Sequence, residues 1–420
     1  LSCESLAKEL PVSLAQNVEF LRRLSKINGI NDPGDFGWPN QSQSPLTEVI
    51  GFGANPGDLK MFSFVPDELQ PKPALVVVLH GCGQTAAGYD LGAGWSSLAT
   101  RYGFALLMPE QQASNNPNGC FNWFNPEDTA RDSGEACSIR QMVARMAGDV
   151  GIDPRRVFVT GISAGGAMTS VMLATYPEVF AGGAIIAGLP FGVATNVREA
   201  LSGMFQSPAH PAGELGDLVR NASSHKGPWP KLSVWHGSAD RTVNPANANE
   251  IVKQWLDVHQ LPSAPMSEGT VDGYPHQVWW NADGETTVES YTITDMAHGT
   301  PLGVADNDER YGAQGAFLIE AGISSSYHIA SFFGLTDWIG QSREALKEAS
   351  KETSRKRSRE TLKEAARPIA GPSAAPARTA VLRPPPTLNR RPEPPRRPRN
   401  RSIDVGAVIT RALTAAGLMK

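Results

Sequence analysis

From about residue 46 onward, short apolar runs alternate with stretches of helical spacing. The runs at 75–79, 104–108, 157–160, 184–187, 232–235 and 288–293 predict strands. Those centred on Val76-Val77-Val78 and Ile185-Ile186 are continuous rather than alternating, the pattern of strands covered on both faces. Helical segments are predicted near 93–101, 135–149, 164–176 and 246–259. Strand alternating with helix predicts an α/β fold, a mostly parallel central sheet flanked by helices. No internal repeat recurs at a fixed period.

The ends of the chain follow other patterns. Leu6, Leu10, Leu14, Val18, Leu21 and Leu24 lie at near-helical spacing, predicting one or two short helices broken at Pro11. Residues 27–45 are rich in Asn, Gly, Pro and Ser and read as loop, so 1–45 are expected to form an N-terminal helical extension and loop before the main α/β domain at 46–340. Residues 341–366 are helix-friendly and highly charged. Residues 367–401 hold ten prolines, many arginines and almost no large apolar residues, and cannot build a core. Residues 341–402 are therefore expected to be a disordered basic Pro/Arg-rich tail. A short amphipathic helix at 403–420 is expected to follow, capped by Asp404 and using Val405, Val408, Ile409, Leu413 and Leu418.

Composition narrows the class. The chain has 420 residues, 40% of them hydrophobic, which is ample for a core and excludes a wholly disordered protein. No apolar run reaches the ~18 residues of a membrane-spanning helix. Four cysteines exclude a small disulfide scaffold but leave two bridges open. The net charge of −4 conceals an asymmetry: residues 341–420 carry 19 Lys+Arg against 7 Asp+Glu, leaving 19 against 35 for the rest. An acidic body thus bears a basic tail, which can seek anionic surfaces or simply remain solvated. Because the chain starts at Leu1, a processed or truncated N-terminus is expected. The charges at Glu4, Lys8, Glu9, Glu19, Arg22 and Arg23 are not those of a signal peptide's apolar stretch.

The strongest local signal is Gly161-Ile162-Ser163-Ala164-Gly165, a G-x-S-x-G match between a predicted strand and a small-residue helix start. That is the setting of a nucleophile elbow, whose sharp turn leaves no room for side chains two positions away on either side. A serine hydroxyl needs a base oriented by a carboxylate, in the order Ser, Asp/Glu, His along the chain. His298, in a glycine-flanked loop after a strand, is the favoured base; His276, beside Trp279 and Trp280, is the rival. His236 reads as structural. Asp240, in His236-Gly237-Ser238-Ala239-Asp240, is the favoured acid, with Asp295 its competitor. The oxyanion hole is expected from the backbone N–H groups of Ala164 and of Cys82, the latter in His80-Gly81-Cys82-Gly83-Gln84.

Together these residues resemble the polyhydroxybutyrate depolymerase family of serine esterases, which is related to feruloyl and acetylxylan esterases. The resemblance is carried by His80 to Gln84, Gly94-Trp95, Met108-Pro109-Glu110-Gln111 and Asn118-Gly119-Cys120-Phe121-Asn122-Trp123-Phe124. It continues through Gly161 to Met168, His236 to Asp240 and His298-Gly299-Thr300-Pro301, and spans roughly residues 46–335. It implies an α/β-hydrolase fold, a Ser163–Asp240–His298 triad and hydrolysis of short-chain hydroxyalkanoate esters. It also implies a Cys82–Cys120 disulfide, hence an oxidising compartment, secreted or periplasmic. The pairing of Cys3 and Cys137 is left open.

Trp123, Phe124 and Trp279 are the candidates for an apolar substrate surface, since a polyester offers methyl groups and carbonyls but no charge. Adjacent Trp279 and Trp280 on a strand must face opposite sides, so at most one lines the cleft. No metal site and no cofactor are expected: the histidines lack paired ligand spacing, and no G-x-G-x-x-G follows a first strand. No obligate protein partner is expected. Feruloyl or acetylxylan esterase is the alternative activity, and a non-catalytic surface-binding protein on the same fold the alternative from another class.

Overall fold

The computed structural model describes residues 43–338; the expected N-terminal helices, basic tail and amphipathic end lie outside the described residues. The chain enters through β1 (Thr47–Val49) and β2 (Lys60–Phe64), then lays down β3 (Leu75–Leu79), β4 (Ala105–Glu110), β5 (Val157–Ile162), β6 (Gly182–Ile186) and β7 (Lys231–Gly237). A hairpin of β8 (Ser267–Val271) and β9 (Tyr274–Trp280) precedes β10 (Thr286–Ile293). These ten strands form one sheet, ordered β1-β2-β4-β3-β5-β6-β7-β10-β9-β8. The six from β4 to β10 in that order run parallel, and the two at each edge run antiparallel.

Alternation along each central strand divides the core in two. Leu75, Val77 and Leu79 face one layer, and Val76 and Val78 the other. The first layer is closed by α4 (Gly134–Val150), α5 (Ala164–Thr175) and α8 (Ala246–His259), the second by α1 (Ala86–Ala93), α2 (Trp95–Tyr102) and α9 (Ser325–Phe332). A short α3 (Pro126–Thr129) precedes α4, and α6 (Val197–Gln206) and α7 (Ala212–Asn221) lie between β6 and β7. Every residue of α5 is buried. At about 1.5–3 kcal/mol for each large apolar side chain removed from water, its Met168, Val171, Met172 and Leu173 anchor the helix that starts at Ser163.

All six predicted strands form, the last of them as β10, and so do the four predicted helices. The edge strands and α1, α3, α6, α7 and α9 were not predicted. β8 is exposed along almost its whole length, and β2 is a short strand broken by Lys60 and Ser63 whose burial alternates, so neither shows a continuous apolar run. The β8–β9 turn is made by Asp272 and Gly273, at φ 50 and 86, the paired left-handed conformation of a tight hairpin. A small parallel pair, β11 (Thr300–Leu302) and β12 (Leu318–Glu320), completes the strands.

Candidate active site

The parallel strands all end at the same edge, and the expected site residues Ser163, Asp240 and His298 lie on the loops that leave it. Ser163 sits between β5 and α5 at φ 57, ψ −120, a conformation that costs a non-glycine residue of order 1–3 kcal/mol. The surroundings hold it there: Ser163 N–H donates to Ile186 O (2.9 Å) and Ser163 O accepts from Ala167 N–H (2.8 Å). Both glycines of the motif are required by close approach. A Cβ on Gly161 would lie 2.5 Å from the backbone of Gly165, and one on Gly165 only 2.3 Å from Leu79 O. The start of α5 is thus pressed against the end of β3, from which the His80–Gln84 loop departs.

Asp240 and His298 meet across two loops. Gly237 allows it, since a Cβ there would strike Met296 O at 2.3 Å; Ala239 N–H donates to Met296 O (3.0 Å) and Ser238 N–H to Ile293 O (2.9 Å). His298 Nδ1–H donates to Asp240 Oδ2 at 2.6 Å, and both side chains are buried. Asp240 Oδ1 accepts from Thr242 N–H (2.8 Å) and Val243 N–H (2.9 Å). His236 contributes more than packing. Its Nε2 lies 3.0 Å from Val243 O and 3.2 Å from Asp240 Oδ2, both acceptors, so that nitrogen carries the proton. Burial would raise the Asp240 carboxyl, but hydrogen bonds from His236 and His298 outweigh it and hold it well below the usual carboxylate range.

The rival residues are committed elsewhere. His276 lies within β9, its Nε2 3.0 Å from Glu289 Oε2 and its ring stacked on Tyr291 at 4.1 Å. Asp295 has an exposed side chain, sits at φ 59 and donates its backbone N–H to Ser238 Oγ.

On the other side of the serine, Gly81 N–H donates to Gln84 Oε1 (2.8 Å) and Gly83 N–H to Asn118 O (2.8 Å), with the Cys82 amide between them. A Cβ on Gly81 would touch Ile162, which places this loop beside the elbow. Ala164 N–H is one of the donors at a helix start that have no intrahelical acceptor. Cys82 and Cys120 form a disulfide, Cα atoms 4.2 Å apart; Cys137 is free, and Cys3 lies outside the described residues. His80 is wholly buried, and burial pushes its imidazole down to about 4 against the pull of its bond to Gly81 O. The residue that sequence reasoning missed is Glu135, fully buried in the first turn of α4. Burial, with the charge of Asp128 adding, pushes it up to about 8 against its hydrogen bonds from Asn122 and Gln111.

Trp279 corrects an expectation. It is 2% exposed, packs into the α4/α5/α8 layer and donates Nε1–H to Ala264 O, so it offers no surface to a substrate. Its neighbour Trp280, 37% exposed, is the outward member of the pair. Trp123 is largely buried and Phe124 partly so, edge to face at 5.6 Å. Asp272, Asp306 and His328 each bring one ligand atom within 4.8 Å of the others, a grouping invisible in their spacing along the chain. Within that group His328 Nε2 lies 3.0 Å from Asp272 Oδ2, a bond that ties α9 to the hairpin turn.

A mostly parallel sheet with a strained serine after β5, a carboxylate after β7 and a histidine after β10 defines an α/β-hydrolase of the esterase type. An acetyl xylan esterase from Aspergillus awamori superposes with a TM-score of 0.59 at 25% identity, over 69% of this chain and 99% of that one. The family described as Esterase PHB depolymerase matches residues 63–267, and the chain belongs to that family. It is 48% identical to poly(3-hydroxyalkanoate) depolymerase C of Paucimonas lemoignei, over 69% of this chain and 70% of that protein. It is also 36% identical to a feruloyl esterase B of Neurospora crassa, over 61% of this chain and 88% of the relative.

Proposed function

We propose that this protein is a serine esterase that cleaves short-chain hydroxyalkanoate polyester or its oligomers through an acyl-enzyme on Ser163. The carrying observation is the His298–Asp240 pair, held on loops that leave the same sheet edge as the strained Ser163. With Nδ1–H given to Asp240, His298 presents the Nε2 lone pair as the base. His298 takes the Ser163 proton as Oγ attacks the ester carbonyl, and returns it to the departing alkoxide. Water then enters by the same route and releases the acid. Asp240 stays ionised throughout and stabilises the imidazolium. The amides of Cys82 and Ala164 receive the developing oxyanion.

The 48% identity to a depolymerase favours a polyester substrate. Its feruloyl and acetylxylan relatives support the second reading, since the same machinery serves any ester that the cleft admits. Trp123 and Phe124 are the aromatic residues proposed to meet the substrate. The disulfide supports a secreted or periplasmic location. The positive surplus of residues 341–420 supports contact with an anionic surface or a granule.

The test is Ser163→Ala, assayed on p-nitrophenyl butyrate, hydroxybutyrate oligomers, methyl ferulate and acetylated xylan. The expected loss in kcat is at least ~10⁴-fold with the fold intact. A folded variant with more than about a tenth of wild-type activity refutes the nucleophile. Wild-type preference for methyl ferulate or xylan over the oligomers refutes the substrate assignment.

A further inference from the structure

We propose that Glu135 is the positioning residue for the oxyanion-stabilising amide of Cys82. It acts through Gln111 and His80 on one side and through the Cys120 loop and the disulfide on the other. The inference rests on the esterase reading above, which makes that amide catalytic.

Glu135 is fully buried, and no described Lys or Arg pairs with it. Its carboxyl is satisfied by N–H groups alone: Gln111 Nε2 (2.6 Å), Asn115 Nδ2 (3.2 Å), Asn122 Nδ2 (2.8 Å) and Asn122 backbone N (2.9 Å). A carboxyl placed in a core beside Ala136 and Ile139 is costly unless it is fully hydrogen-bonded. What these bonds order is the stretch from the end of β4 to Asn122.

That stretch grips the oxyanion loop at three atoms. First, Gln111, whose side chain is held by Glu135, donates its backbone N–H to His80 Nε2 (3.1 Å), and His80 Nδ1–H donates to Gly81 O (2.8 Å). Gly81 O and Cys82 N–H are opposite ends of one planar trans peptide, so pinning the carbonyl aims the amide. Second, Gln111 Nε2 also donates to Cys120 O (3.0 Å), and Cys120 is bonded to Cys82. Third, Asn118 O takes Gly83 N–H (2.8 Å). Asn118 is itself held through Asn116, whose Nδ2 donates to Asn122 Oδ1 (2.8 Å). Each grip traces back to Glu135, although Glu135 touches no residue of the loop and none of the proposed reacting atoms.

Glu135→Gln keeps the shape but must turn an NH2 toward at least one of the four donors. The amide of Cys82 then loses its aim while the substrate's ground-state contacts remain. The test measures kcat, KM and inhibition by phenylboronic acid on the full chain, with p-nitrophenyl butyrate as substrate and near-ultraviolet circular dichroism as the fold control. A boronic acid forms a tetrahedral adduct on the serine, so its affinity reads the oxyanion amides. The expected result is kcat down at least about tenfold, KM within about threefold, and boronate affinity weakened by the same factor as kcat/KM.

A folded variant with unchanged kcat and boronate affinity, or with a loss confined to KM, overturns the proposal. Gln111→Met, which deletes the side-chain links and keeps the amide to His80, carries the same expectation and refutation, and decides the matter should Glu135→Gln not fold. Failure of the underlying esterase reading looks different: wild type itself would resist a serine-directed phosphonate and bind the boronate no better than Ser163→Ala.

Discussion

Replacing Asp240 by asparagine tests the proposed charge arrangement with almost no change of shape. Oδ1 accepts two backbone amides, Thr242 N–H and Val243 N–H. An asparagine that put its NH2 there would leave both donors unsatisfied, at about 1–3 kcal/mol each. The carboxamide oxygen must therefore take the Oδ1 place, and the NH2 must face His298 Nδ1, which in the wild type is 2.6 Å from Oδ2. Only the opposite imidazole tautomer can accept from that NH2. His298 then carries its proton on Nε2 and has no lone pair for Ser163. His236 keeps Val243 O as acceptor, so the loop stays folded. The expected loss in kcat is about 10⁴-fold, or about 5.5 kcal/mol of transition-state stabilisation. The assay is p-nitrophenyl butyrate turnover at pH 7–8, with thermal unfolding as the control for the fold. A folded Asp240→Asn protein that retains more than about a tenth of the activity refutes this reasoning.

Three further outcomes are expected. His298→Ala should damage kcat about as much as loss of the serine, whereas His276→Ala, whose ring is engaged with Glu289, should retain most activity; the reverse order would identify His276 as the base. His80 has a folded value of about 4, below its unfolded value near 6.5, so the stability tied to its neutral form is present above pH 6.5 and is lost as pH falls toward 4. The stability advantage of wild type over His80→Asn in urea should therefore shrink by roughly 3 kcal/mol between pH 7 and pH 4, and a constant difference refutes the assignment of a buried neutral imidazole. Deleting residues 341–420 should leave soluble-ester turnover intact and abolish low-salt binding to anionic vesicles or lipid-coated granules, because exposed charge acts over about 8 Å at physiological salt. Unchanged vesicle binding removes that role from the tail, and lost turnover places it in the catalytic fold.

Continuous apolar runs determined the parallel centre of the sheet by themselves, because a strand covered on both faces has no polar positions to disguise it. Gly161 and Gly165 were legible for a related reason: an elbow with backbone within 2.5 Å of the would-be Cβ admits no other residue, so the requirement is written locally. Tertiary structure alone decided the rest. The edge strands carry too little apolar signal to be read alone: β8 is exposed along almost its whole length, and β2 is fixed by pairing with the non-consecutive strand β4. Trp279 and Trp280 are chemically alike, and only the sheet's position over the α4/α5/α8 layer turns one into the core and the other outward. His236 earned its place beside Asp240 because its loop curls back within hydrogen-bond reach, a geometry that a four-residue spacing does not specify. Glu135 was silent for the deepest reason. An acidic residue at the start of a helix looks like an ordinary exposed cap, and nothing along the chain announces that three amide side chains will close over it.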